Sequence, residues 1–520
     1  MINKSTNELV SLLDKEIKEN IHLGKVGIEK ETFRVNKKKI SQSSHPNQFG
    51  SALCNKFITT DFSESQLELI TPPSSNKLSI LEFLNDLQHL LVSDHKDEIF
   101  WPFSIPPSFN SDDDIPIANY GSSNFGKFKH LYRLGLSNRY GRAMQAISGI
   151  HFNYSLPEVF WKFQKNNKEL KLNEKELRSK AYFRMIRNCF RMNWLVLYLF
   201  GASPILTKNY IADDSESFIR IDEDTYFMKY ATSLRMSDYG YQNSNRSKIN
   251  VSLDSLNSYT SDLRRATTTK SEDFIDFPKD GFQINPNILQ IEDEYYAVAR
   301  AKSSIPKIQR STNKLLSGGV DFLELRSIDL NPFSPIGIDT ETLFFLEVFL
   351  IYCYLEDEKL IDQDELNDIT NNDLLVSKYG RDPKLELKKN GKKIKANEWG
   401  NFILDEMEAI AELMSDHNDQ YKKMIKSIKE KINDPSQTLS GILIENIVSK
   451  SINFNDYGHL IGESNKSYYI GLSKPENNNW EIIKKEIKRS IFQQQQLEDE
   501  DKKSKKSLHD FIFSHNQIDN

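Results

Sequence analysis

Glu29 and Glu31 in Gly27-Ile28-Glu29-Lys30-Glu31-Thr32-Phe33-Arg34, Asp61 in Thr59-Thr60-Asp61-Phe62, Glu68 just beyond, His151 in Gly149-Ile150-His151-Phe152-Asn153 and Glu324 in Phe322-Leu323-Glu324-Leu325-Arg326 are the residues best suited to chemistry in this chain. Each lies in a segment that reads as extended. Side chains alternate faces along a strand, so Glu29 and Glu31 point the same way, as do His151 and Asn153, and Glu324 and Arg326. Hard oxygen ligands with one imidazole suit Mg²⁺ or Mn²⁺, and such ions beside an arginine suit the phosphates of a nucleotide. Any one pair alone is more simply a solvated strand edge, and a lone His a hydrogen-bonded bystander. Together they are harder to dismiss: Asp61 follows Phe57-Ile58-Thr59-Thr60 and precedes Phe62, and Glu324 sits between two leucines. Acids set in apolar strand sequence are costly unless paired or metal-bound.

The elements that must position these residues are strands and helices without a regular βαβ alternation, which favours α+β with an antiparallel sheet. Ser5 followed by Glu8, with Leu9, Leu13 and Ile17 at helical spacing, predicts an opening helix. Residues 182–200 read as a helix with Phe183, Ile186, Phe190, Trp194 and Leu197 inward, and with Arg184, Arg187 and Arg191 on what is most simply a solvated face. Helices are also expected over 339–355 and 402–433, and a surface hairpin or loop over 386–396 around Asn390-Gly391. From Gln493 the chain runs through QQQQ and LEDEDKKSKK to LHDFIFSH, a composition expected of a polar tail or solvated helix. Gly121 to Lys127 has the spacing of a phosphate-binding loop, but Phe128 stands where that motif needs Ser or Thr. A loop near the substrate mouth is the better expectation.

Longer motifs carry a resemblance. EKETFRVN (Glu29 to Asn36), ITTDF (Ile58 to Phe62), LITP (Leu69 to Pro72), NRY (Asn138 to Tyr140), ISGIHFNYSLP (Ile147 to Pro157), YATSLR (Tyr230 to Arg235), the stretch Leu289 to Ala297 and ELRSIDLNPFSPI (Glu324 to Ile336) together resemble the proteobacterial type of glutamate-cysteine ligase, from about Gly24 to Leu355. The resemblance implies an antiparallel sheet lining a funnel-shaped active site with surrounding helices, similar to glutamine synthetase. It implies ATP-dependent joining of the γ-carboxylate of L-glutamate to the amino group of L-cysteine, by way of a γ-glutamyl phosphate. By matching motifs the metal ligands carry over to Glu29, Glu31, Asp61, Glu68, His151 and Glu324, with Arg326 catalytic. The cysteine pocket carries over to Phe62, Tyr132, Leu136, Gln145, Arg235, Tyr241 and Tyr296. Adenine contacts are assigned to no residue.

The charges fit that chemistry. Making an acyl phosphate brings two anions together, and cations close to both lower that barrier. Arg326 can neutralise charge developing on the transferred phosphoryl group, after which an amine displaces phosphate. No protein nucleophile is needed, in keeping with the lack of any recognisable Ser-His or Cys-His arrangement. A ligase using another amine would share the acids and differ at the acceptor pocket. A bifunctional glutathione synthase would need a second ATP-binding domain, for which the residues beyond Gln493 leave no room. The non-enzymatic alternative is a divalent-cation-binding protein.

Composition sets outer bounds. The 520 residues have room for a large core, and because the motifs span 24–355 the expectation is one catalytic unit over 1–492, with a helical part at 339–492, and a tail at 493–520. A net charge of -6 from 68 basic and 74 acidic residues calls for neither nucleic acid nor an anionic membrane. Cys54, Cys189 and Cys353 are odd in number and widely spaced, which argues against a disulfide framework and for a reducing compartment. The opening residues lack the apolar run of a signal peptide, and Trp194 to Phe200 and Phe344 to Leu355 are too short to span a bilayer. A cytoplasmic monomer is expected, and the resemblance implies that glutathione, a product analogue, competes at the glutamate site.

Overall fold

The computed structural model describes residues 6–161, 172–211, 217–240, 249–275, 281–305, 310–356, 358–415 and 419–515. Its centre is an antiparallel eight-stranded sheet. Strands β1 (Lys25–Asn36), β2 (Lys39–Ile40), β3 (Ile58–Thr60), β4 (Gln66–Ile70), β5 (Ile99–Phe100) and β6 (Ile150–Ser155) come first. A small sheet of β7 (Ile205–Thr207), β8 (Ile219–Arg220) and β9 (Thr225–Phe227) intervenes before β10 (Ala299–Lys302) and β11 (Phe322–Ile328) complete the large one. Its order is β10-β11-β6-β1-β4-β3, with β2 and β5 paired to β1. The α+β expectation with an antiparallel sheet holds.

Alternation divides the strands cleanly. Val26 and Ile28, Leu67 and Leu69, Phe152 and Tyr154, and Leu323 and Leu325 are fully buried in one cluster with the helices Lys77–Asp94, Glu174–Phe200 and Thr340–Leu355. At about 1.5–3 kcal/mol for each large apolar side chain taken from water, that face fixes the register, because a one-residue slip would turn every acid into the core. The opposite face therefore carries Glu29, Glu31, Glu68, His151, Asn153, Glu324 and Arg326. Thr340–Leu355 is apolar nearly all round and buried; its Glu347 carboxylate meets Lys77 Nζ at 2.8 Å and accepts from the Tyr421 hydroxyl at 2.7 Å. No helix among the described residues is long and apolar enough to cross a membrane.

Several local expectations are revised. The opening helix is two, Thr6–Leu12 and Lys15–Asn20, because Asp14 accepts from the Glu16 N–H and starts a new helix. The predicted 402–433 helix is likewise two, Ala396–Met414 and Gln420–Asn433. The hairpin β12 (Glu386–Lys389) and β13 (Lys392–Lys395) turns at Asn390 and Gly391, both with positive φ, as a tight primed turn requires. Arg184, Arg187 and Arg191 do not form a solvated face. Arg187 donates to Leu253 O at 2.9 Å and Glu358 O at 3.1 Å, and Arg191 meets Glu365 Oε1 at 2.6 Å, so the stripe fastens its helix to neighbouring segments.

The segment expected as a polar tail or solvated helix is helical and lies against the body as far as His515. The helix Asn478–Ser504 runs through QQQQ, and Leu508–His515 forms another. Asp501 Oδ2 accepts the Asn124 N–H at 2.6 Å, Glu498 Oε1 accepts the Ser122 N–H at 2.9 Å, and Phe511 packs on Phe125 and Phe128. From Gln493 on its residues are half-buried or exposed, so it is a solvated helical segment fastened to the 122–128 stretch by these contacts.

Candidate active site

The register of the sheet builds the acid row. Glu29 on β1 lies opposite His151 on β6, Glu31 opposite Glu68 on β4, and Glu324 on β11 opposite Asn153. His151 Nδ1 is 3.1 Å from Glu29 Oε2 and its Nε2 is 3.4 Å from Glu31 Oε1. The second Glu29 oxygen accepts from Asn153 Nδ2 at 2.9 Å, and Glu31 Oε2 accepts the Gly149 N–H at 2.8 Å. Ligand atoms of Glu29, Glu68 and His151 lie within 4.8 Å of one another, a donor set that fits a divalent cation. Asp61, at the end of β3, joins Glu31 in the wall of the adjoining cavity.

Crowding separates these acids into two kinds. Burial, then repulsion from Glu29, Asp61 and Glu31, pushes Glu68 well above the ordinary carboxylate range. Burial pushes Glu31 up to about 7, against the pull of His151. At Glu29 burial acts upward too but is outweighed, chiefly by the His151 hydrogen bond. Burial also opposes ionisation of Glu324, yet Lys302 at 2.9 Å and Arg326 at 3.2 Å hold it well below the usual range.

Sequence reasoning missed Lys302 and Arg300. They stand two apart on β10, Arg300 opposite Glu324, so the alternation applied to β1, β6 and β11 finds them when extended to Ala299–Lys302. It also missed Lys129 and Arg133. On the helix Asn124–Tyr140, Lys129, Tyr132, Arg133 and Leu136 occupy positions i, i+3, i+4 and i+7, one stripe, which is turned to the site.

Beside the acids lies a cavity of about 140 Å³. Phe62, Tyr132, Leu136, Gln145 and Tyr296 line it, together with Glu31, Asp61 and Arg326, as well as Arg133 and Arg300. Five of the seven residues expected to form an acceptor pocket are thus brought together; Tyr241 lies outside the described residues. Arg235 does not line this cavity. Its guanidinium is fully buried, 3.5 Å from Asp329 Oδ1, and donates to Arg326 O at 3.0 Å. It packs so closely under residue 149 that any Cβ there would overlap it, which accounts for Gly149. The Gly121 to Lys127 segment is no phosphate cradle: Ser123 caps the helix by accepting from Gly126 N–H, and a Cβ at Gly126 would strike Tyr120 O.

Comparison with known proteins places the chain among relatives of one activity. The family model described as glutamate-cysteine ligase matches residues 9–376. A glutamate–cysteine ligase of Pseudomonas putida is 40% identical over 435 residues, 82% of this chain and 83% of its own length. One of Janthinobacterium is 36% identical over 507 residues, 96% of each. The crystal structure of the Francisella tularensis glutamate–cysteine ligase, in complex with AMP, superposes with a TM-score of 0.88 at 34% identity, covering 95% of this chain and 97% of that one. A bifunctional glutathione synthetase from Pasteurella multocida shares the fold, with a TM-score of 0.73 at 24% identity over 90% of this chain and 55% of its own. By sequence and by fold, the chain belongs to the glutamate–cysteine ligase family.

Proposed function

We propose that the protein joins L-glutamate, through its γ-carboxylate, to the amino group of L-cysteine, with ATP converted to ADP and phosphate by way of a γ-glutamyl phosphate, as the first step of glutathione synthesis. The observation that carries this reading is the acid row of Glu29, Glu31, Glu68, His151 and Glu324 on one sheet face, opening beside a cavity of about 140 Å³ lined by Arg133, Arg300 and Arg326. The AMP held by the Francisella relative supports a nucleotide co-substrate. Mg²⁺ or Mn²⁺ held by the acids, with Glu29, Glu68 and His151 the best-placed ligands and Glu31, Asp61 and Glu324 beside them, supplies Lewis-acid charge toward phosphate and carboxylate oxygens when bound.

The chain's own residues do the rest. Arg326, fixed on β11 next to Glu324, faces the place where negative charge develops on the transferred group. Phe62, Tyr132, Leu136 and Tyr296 wall a space fit for one small side chain, and Gln145 offers it a polar contact. With Arg235 committed to Asp329, the acceptor's carboxylate falls to Arg133 or Arg300. Residues 1–492 act as one catalytic unit, the protein works as a cytoplasmic monomer, and glutathione competes at the glutamate site through its γ-glutamyl group.

The test is an incubation of the purified protein with ATP, Mg²⁺, glutamate and a panel of cysteine, 2-aminobutyrate, ammonia and a polyamine, reading product mass and ADP. γ-Glutamylcysteine is expected as the main product, with ADP release dependent on both amino acids and abolished by a chelator. A different dominant product, or ADP release indifferent to the acceptor, overturns the assignment.

A further inference from the structure

The cations around the acid row are not equivalent. Lys302 and Arg326 are engaged with Glu324. Arg133 is tied down, Nε to Asp61 O and a terminal nitrogen to Lys129 O at 3.1 Å. Lys129, one turn before Arg133, differs: among the described residues its ammonium makes neither an ion pair nor a hydrogen bond, although Glu68 and Asp61 are near enough to act on its charge. Instead Nζ is propped 4.4 Å from the centre of the Tyr120 ring, and Tyr120 is itself anchored by its hydroxyl to Thr60 O at 3.0 Å. A cation so held is aimed without being neutralised.

Its position says what it is aimed at. Arg133 lines the cavity, but Lys129 does not, so a small amino acid seated there meets the first and not the second. An anion that reaches Lys129 must lie along the acid row past Asp61 and Glu68, as an extended polyphosphate does. A lysine, a compact point charge, serves phosphate oxygens as well as an arginine fork serves a carboxylate. We propose that Lys129 binds the phosphate chain of the nucleotide. The inference rests on the ATP-dependent reading above and assigns that reading a residue for the co-substrate.

The measurement is equilibrium binding of a non-hydrolysable ATP analogue with Mg²⁺ to full-length wild type, Lys129→Met and Lys129→Arg, with Lys127→Met, an exposed site just before it on the same helix, as control. Alongside run thermal midpoints and KM values for ATP, glutamate and cysteine. Expected are at least about a tenfold weaker analogue affinity in Lys129→Met, binding within about threefold of wild type in Lys129→Arg, and no change in Lys127→Met. Analogue affinity unchanged within about twofold in a folded Lys129→Met overturns the proposal, as does a loss confined to the KM of glutamate or cysteine, which would make Lys129 a carboxylate partner. Should Lys129→Met fail to fold, Lys129→Gln is read by the same criteria. If wild type binds the analogue in a Lys129-dependent way yet makes no γ-glutamylcysteine, the proposed reaction fails and this inference stands; no nucleotide binding at all overturns both.

Discussion

Glu68→Gln is expected to lower ligation turnover by on the order of 100-fold or more while making the metal-free protein more resistant to heat. The loss follows from removing charge next to Glu29 and His151, where a divalent cation fits; several kcal/mol of charge stabilisation are at stake, and each tenfold in rate is about 1.4 kcal/mol. The gain follows from crowding: burial and three neighbouring acids oppose ionisation of Glu68. A carboxyl whose folded pKa is raised costs stability as pH rises from its unfolded value through its folded one. The midpoint difference should thus be small near pH 5 and grow toward pH 8. Glu324→Gln should separate the two effects, cutting turnover similarly but lowering stability above pH 5, since Lys302 and Arg326 favour the ionised Glu324 in the fold. Equal stability changes of one sign in both variants, or near-normal turnover in Glu68→Gln at saturating Mg²⁺, refute this division of the acids.

Arg235→Met is expected to destabilise the whole fold by about 3–5 kcal/mol, the cost of leaving a buried ion-pair partner uncompensated. Asp329 stays behind, accepting from Ala202 N–H at 2.7 Å and Ser203 Oγ at 2.6 Å but stripped of its cation. Denaturant unfolding of wild type and variant measures it. Arg235→Met combined with Asp329→Leu should recover part of the loss, because an apolar pair has no charge to strand. A direct contact to substrate carboxylate predicts instead an unchanged unfolding midpoint and a selective loss for amino acid acceptors over simple alkylamines.

The acid row was legible because a strand has a period of two and its polar residues stand out against Ile, Leu and Phe: spacing alone pairs Glu29 with Glu31, His151 with Asn153 and Glu324 with Arg326, and the register of the sheet then sets the three pairs on one face. Arg235 shows the limit. The motif YATSLR marks it, but whether a guanidinium points at a ligand or at Asp329, 94 residues later, depends on packing that spacing does not encode. Lys129 and Arg133 lay on the helix Asn124–Tyr140, where the stripe turned to the site mixes them with Tyr132 and Leu136, so hydrophobic periodicity carried no signal for it. The residues after Gln493 read as solvated and are largely exposed, but composition did not show that Glu498 and Asp501 accept from the N–H groups of Ser122 and Asn124, since a hydrogen-bonded Glu or Asp has the same composition as a hydrated one.

The order in which the strands leave the ribosome differs from the order in which they lie. β1 is central; its partner β4 follows by residue 70, but its other neighbour, β6, begins only at Ile150, and β11 not until Phe322. The β1–β4 pair can form early, with Glu29, Glu31 and Glu68 already crowded and one edge of β1 unpaired. Closing loops of this length is slow compared with local pairing, so that bare edge persists during synthesis and refolding. An unpaired, half-apolar strand edge is a template for another chain. Refolding from denaturant should accordingly lose yield steeply as protein concentration rises, and recover when a holdase chaperone is present.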